Sequence, residues 1–139
     1  MTYMGIDVGN STGICYLDEH GFDTIQLTYT NLLGYYHLVY DVVQRYCPDV
    51  VGYSMTYMPS RPKSTQSLHF KMAVVELVCA KLKIKCVSFP DSTCKKVVVG
   101  KGNAKKEDVM AWAQKKNSAE MVQDEADAMM FCEYMRLTL

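Results

Sequence analysis

Residues Tyr3 to Tyr16 form an apolar, β-branched run that turns at Gly9-Asn10-Ser11 and carries a single charge, Asp7. A strand can bury a carboxylate only when it is paired or metal-bound, so the fold must bring a partner to Asp7 from elsewhere in the chain. Gly5-Ile6-Asp7-Val8-Gly9 is one of two short acidic motifs at opposite ends of the sequence; the other is Asp124-Glu125-Ala126-Asp127-Ala128. The i, i+3 spacing places Asp124 and Asp127 on one face of a helix, while Ala126, Ala128, Met129, Met130 and Phe131 supply the surface that seats it on a sheet. Read together, Asp7, Asp124 and Asp127 are two halves of one divalent-metal site. Read singly, Asp7 caps a turn, and the Asp124, Glu125, Asp127 group is a solvated first helical turn favoured by the helix dipole.

At 139 residues and 49% apolar content, the chain suffices for one domain with a proper core, expected over 1–139. No window approaches a membrane span and no leader-like segment opens the chain, so a soluble, cytoplasmic protein with no membrane partner is expected. Six cysteines include no C-x-x-C pair and mostly occupy apolar segments, which favours buried thiols over a disulfide or zinc framework. His20, His37 and His69 are scattered and read as surface or core residues.

A formal net charge of zero hides a strong partition. Residues 1–60 carry one Arg against six acids, residues 61–116 thirteen Lys or Arg against four acids, and residues 117–139 one Arg against five acids. Within the basic middle, Lys95 and Lys96 follow a Pro-Asp-Ser-Thr turn, and Lys101, Lys105 and Lys106 surround a Gly100-Lys101-Gly102-Asn103 loop that opens a helix. Such clusters neutralise phosphates without reading sequence, although a solubilising lysine face has the same composition. A two-metal phosphodiesterase needs both features, carboxylates at the scissile phosphate and cations along the flanking strand.

Periodicity predicts strands near 2–9, 12–18 and 22–29 in an antiparallel meander, then a helix capped by Asn31 and running to about Tyr46. Pro48 ends that helix before a strand from Asp49 to Met55. A helix from Ser64 or Thr65 to about Lys83, a strand over Ile84–Phe89, short helices at 91–99 and 104–116, and a last helix bearing the Asp pair complete the chain. The order βββαβαβα predicts an α/β fold in which strands one, four and five form the parallel part of a five-stranded mixed sheet with helices on both faces.

These residues resemble the RuvC-type Holliday junction resolvases of the RNase H-like superfamily over most of the chain. Gly5-Ile6-Asp7-x-Gly9-Asn10-Ser11 looks like the family's first strand. Val97-Val98-Val99-Gly100-Lys101-Gly102-Asn103-Ala104-Lys105-Lys106 resembles its Val-Val-Gly-x-Gly-x-Ala-x-Lys segment, and Asp124-x-x-Asp127-Ala128 its closing motif. The resemblance implies an RNase H-like fold, a homodimer and metal-dependent paired nicking of four-way and other branched DNA. It assigns a pair of Mg2+ ions, replaceable by Mn2+, to Asp7, Asp124 and Asp127, with water attacking the phosphorus in line. Lys95 and Lys106 match basic positions near the scissile phosphate, and Tyr57 matches an aromatic thought to stack on a base at the crossover. Tyr57 packing over its own loop explains the same residue. Arg61, Lys63, Lys96, Lys101 and Lys105 are assigned to DNA-backbone contacts by charge alone. A small resolvase of this kind also resembles those of bacteriophages.

One position departs from the pattern. The family places a Glu near the end of strand four, and this chain has Ser54, a neutral hydroxyl that coordinates a hard cation poorly. Three explanations fit: a substitution introduced to disable the enzyme, a natural divergence with Glu125 or water filling in, or a protein that binds junctions without cutting them. The rival readings are therefore a non-cleaving binder of branched nucleic acid and a YqgF-type RNA-processing nuclease; Asp124 speaks against the latter. For the dimer, the helix over about 64–83 offers a stripe of Leu68, Met72, Val75, Val78 and Cys79, which core packing explains equally well.

Overall fold

A computed structural model describes residues 1–55, 62–118 and 120–139, with residues 62–64 described in their backbone alone. The elements are β1 (Tyr3–Asp7), β2 (Thr12–Asp18), β3 (Gly21–Leu27), α1 (Leu32–Tyr46), β4 (Val50–Met55), α2 (Pro62–Leu82), β5 (Lys85–Pro90), α3 (Asp91–Val98), α4 (Lys106–Lys116) and α5 (Gln123–Thr138). The expected βββαβαβα order is present, with α3 and α4 between β5 and the last helix.

The strands form one sheet in the order β3-β2-β1-β4-β5. β1, β2 and β3 pair antiparallel as a meander, and β1–β4 and β4–β5 are parallel. Alternation along each strand divides the core into two layers. Met4, Ile6, Ile14, Val51 and Tyr53 face α1 and α2. Tyr3, Cys15, Leu17, Val50 and Phe89 face the side occupied by α3, α4 and α5. This is the mixed sheet with helices on both faces that the sequence predicts.

Local chemistry accounts for the helix ends. Asn31 Oδ1 accepts from Gly34 N at 2.8 Å, the expected cap of α1, and Cys47 adopts φ 48° just before Pro48 ends the helix. The stripe proposed for α2 is core: Met72, Val75, Val78 and Cys79 are buried against the sheet and α1. Phe70 and Leu77, one heptad apart, are instead 51% and 58% exposed. All six cysteines are free thiols, four of them buried.

The helix that carries the acidic pair is the most deeply seated. Ala126, Ala128, Met129, Met130, Phe131, Cys132 and Met135 are essentially excluded from solvent. Two glycines allow that approach. A Cβ on Gly5 would collide with Ala128 O, and a Cβ on Gly13 with the Asp124 carbonyl, both backbone atoms that cannot step aside. Cys132 locks the same contact, accepting from Gly5 N at 3.1 Å and donating to Cys15 O at 3.2 Å.

Candidate active site

Asp7 is the last residue of β1, one step beyond the Ile6–Tyr53 pair, so it lies beside Ser54 of β4 on the α5 face of the sheet. The docking of α5 against Gly5 and Gly13 delivers Asp124 and Asp127 to that position. A cleft of about 210 Å³ results, lined by Asp7, Ser54, Asp91, Lys95, Lys106 and Asp127, with Gln123, Val109 and Phe131 closing its floor and wall.

Its electrostatics are those of anions crowded together without enough cations. Burial pushes the Asp7 carboxyl up to about 9, and the charges of Asp127 and Asp124, a hydrogen bond with Asp124 and the charge of Asp91 add to it. Asp7 therefore holds a proton at neutral pH when no cation is bound. Burial pushes Asp127 up to about 6; Gln123 Nε2, donating at 3.1 Å, and Lys95 oppose the rise, while Asp91 and Asp124 add to it. Among the described residues no Lys or Arg forms an ion pair with Asp7, Asp124 or Asp127.

Asp124 faces the other flank of the turn after β1. Its Oδ2 accepts from Ser11 Oγ at 2.6 Å and from Gln26 Nε2 at 3.1 Å, which fixes the carboxylate across 113 residues of sequence. The turn is braced further by Thr12 Oγ1 and the Tyr29 hydroxyl, both donating to Gly9 O.

The donor set is entirely hard oxygen, the chemistry that suits Mg2+ or Mn2+ rather than zinc. A carboxyl whose pKa is raised by burial, and further by carboxylate neighbours, is what a divalent cation would relieve. Among the described residues, however, no three acidic, histidine or cysteine side chains stand close enough to form a finished cage. Asp7, Asp124 and Asp127 would hold such an ion, and binding it would displace the Asp7 proton.

The sequence places Asp7, Ser54, Asp124, Asp127, Lys95 and Lys106 in one site; all but Asp124 line the same cleft, and Asp124 reaches it only through its hydrogen bond with Asp7. Ser54 is 8% exposed, with no acidic side chain delivered in its place by Glu125. That suggestion is corrected by geometry: the Glu125 carboxylate turns back to accept from Val122 N at 3.2 Å and caps α5. The acid that does enter is Asp91, which the sequence reading missed. It follows β5 directly, and β5 pairs with β4 through Ser54–Phe89 and Met55–Pro90, so Asp91 stands at the same end of the sheet as Ser54. Its signal was present in the i, i+4 spacing to Lys95, with which it pairs at 2.7 Å.

The remaining cations divide. Lys96 and Lys105 are exposed, and Lys101 is engaged with Asp108 at 3.5 Å. Tyr57 and Arg61 lie outside the described residues, as does the side chain of Lys63.

An RNase H-like sheet with carboxylates gathered at the end of its first strand defines the class. Residues 4–131 match the profile of the crossover junction endodeoxyribonuclease RuvC family, and the chain belongs to that family. It is 28% identical to the crossover junction endodeoxyribonuclease RuvC of Chlamydia muridarum over 128 residues, 81% of this chain and 74% of that protein. In fold it is similar to Thermus thermophilus RuvC, with a TM-score of 0.80 at 16% identity, covering 96% of this chain and 92% of that one. The same protein in complex with a Holliday junction substrate gives a TM-score of 0.82 at 15% identity over 99% and 96% of the two chains.

Proposed function

We propose that the chain is a metal-dependent endonuclease that resolves four-way and other branched DNA junctions by paired nicking. The observation that carries this is the gathering of the buried Asp7 carboxyl with Asp127 and Asp91 in one cleft whose lining also includes Lys95 and Lys106, burial first and the neighbouring carboxylates second raising the pKa of Asp7. Membership of the family supports the substrate class.

On this reading Asp7, Asp124 and Asp127 hold a pair of Mg2+ ions, with Mn2+ able to replace them. When bound, such ions activate water and neutralise charge on the reacting phosphate. The chain's own part is to position and to balance charge. Asp7 gives up its proton on loading, Ser11 and Gln26 keep Asp124 oriented, and Gln123 does the same for Asp127. Lys106 and Lys95 attract the flanking phosphates. Two symmetric nicks require two such sites, and therefore a two-fold dimer. The solvent-facing Leu77 of α2 supplies an apolar position for it, since the stripe of α2 singled out in the sequence is already spent on the core.

Ser54 favours one second reading, a protein that binds branched DNA without cutting it, because the cleft has a buried neutral hydroxyl beside Asp7. The test is cleavage of a synthetic four-way junction with Mg2+ and with Mn2+ by the chain, its Ser54→Glu form and its Asp7→Asn form. Paired nicks by the chain or by Ser54→Glu, abolished in Asp7→Asn, bear out the nuclease. Tight binding with no cutting by any form moves the function to recognition alone.

A further inference from the structure

On the opposite face of the β1–β2 turn from Asp124 lies a second cavity, of about 400 Å³, between the start of α1, the segment after β3, and α2. Its wall contains Lys71, whose side chain is buried, the residue being only 5% exposed. The ammonium donates to Asn10 Oδ1 at 2.9 Å and sits 5.2 Å from the centre of the Tyr29 ring. Among the described residues no carboxylate pairs with it.

A buried ammonium is normally balanced by an anion, because removing it from water is costly. An amide oxygen and a ring face orient and stabilise the charge, yet both are neutral. The cavity is therefore lined by a cation that, among the described residues, has only neutral partners. Its other lining groups suit an oxyanion: the Ser67 side chain, and the first turn of α1, a 15-residue helix with no acid in that turn. At its lip stands Phe70, half of its surface open to solvent.

Position ties this hollow to the cleft. Asn10 is three residues from Asp7, a reach of about 10 Å at most, and its neighbour Ser11 holds Asp124. The Gly9-Asn10-Ser11 turn thus links the two, with Ser11 bonded to Asp124 and Asn10 to Lys71. We propose that this cavity is an anion subsite that takes a backbone phosphate of the bound DNA strand. In it Lys71 supplies the charge, Asn10 and Tyr29 hold the ammonium in place, and Phe70 stacks on the adjoining base. The inference rests on the nuclease reading for its ligand and on the geometry around Lys71 for its site.

The experiment compares the chain with Lys71→Met and Phe70→Ala, without divalent ions, in two titrations: a four-way DNA junction across a salt series, and inorganic pyrophosphate by calorimetry. Thermal melting of each form reports folding. Lys71→Met is expected to weaken junction binding about tenfold, to make the slope of log affinity against log salt shallower by about one, and to abolish pyrophosphate binding. Phe70→Ala, an exposed position at which folding is not at stake, is expected to weaken junction binding about fivefold with the salt slope unchanged. Tight junction binding that neither substitution alters overturns the subsite and leaves the nuclease reading standing. Pyrophosphate binding lost in Lys71→Met, in a protein that ignores junctions, keeps the anion site and overturns the nuclease reading. Should Lys71→Met fail to fold, unaltered binding by Phe70→Ala together with no pyrophosphate binding by the unmodified chain overturns the subsite.

Discussion

Asp91 and Lys95 meet at 2.7 Å, one helical turn apart, on the rim of the cleft that holds Asp7. The pair keeps a cation beside the carboxylates while cancelling much of its pull on DNA. Asp91→Asn is thus expected to tighten metal-free binding of a four-way junction several-fold and to steepen the salt slope by about one. Affinity measured across a salt series checks it; an unchanged slope means that Lys95 does not reach the phosphate.

Lys106 has no ion-pair partner among the described residues, so its charge is available to the DNA. Lys106→Ala is expected to make the salt slope shallower by about one. Lys95→Ala should do less, because it also strips Asp91 of its counter-charge. Equal effects of the two would show that the Asp91 pair opens when DNA binds.

Asp7 keeps its proton up to about pH 9 in the fold, against 3.8 ordinarily. Between those values the unfolded chain has released a proton that the folded chain still binds, so stability falls as pH rises through the window. Asp127 adds to the fall between 3.8 and about 6. In the absence of metal, Asp7→Asn is expected to flatten this decline and to raise Tm at pH 8 by several degrees. Melting curves from pH 5 to pH 9 decide it, and a parallel decline in both forms would sink the assignment.

The same proton must leave when a divalent ion enters. Mn2+ binding is expected to strengthen as pH rises from 6 to 9 and to release about one proton per site near neutrality. Calorimetry in buffers of different ionisation enthalpy counts it, and Asp7→Asn should lose both the release and most of the affinity.

Ser54→Glu adds a further acid to a cleft already short of cations. Without metal it is expected to lower Tm at pH 8 by several degrees, and millimolar Mg2+ should recover the loss. A Tm indifferent to both changes would mean that position 54 does not face the carboxylates.

The strand directions, the meander and the Asn31 cap were legible because each has a local signature in alternation or turn residues, and the proposed set Asp7, Asp124 and Asp127 stood out in the same way, through a strand charge and an i, i+3 pair. Asp91 was not, since its role depends on β5 pairing with β4 and no short-range pattern announces a parallel neighbour. Glu125 misled for a related reason, as its carboxylate satisfies an N–H at the end of its own helix rather than turning to the cleft. The stripe on α2 was ambiguous in principle, because a helix that packs on its own sheet and one that packs on a second copy carry the same periodicity. Lys71 looked like one more member of a basic block, and only the three-dimensional placement of Asn10 and Tyr29 sets it apart.

Gly13 touches the backbone of Asp124, so the carboxylate set is completed only when the final helix lies down on the first hairpin. A ribosome making this chain therefore exposes Asp7 early, with nothing beside it that can cut. On the nuclease reading, translation that stalls before α5, or a protease that removes it, leaves a fragment that lacks two of the three proposed metal-binding carboxylates. The topology would then make docking of the last helix the condition for cutting DNA.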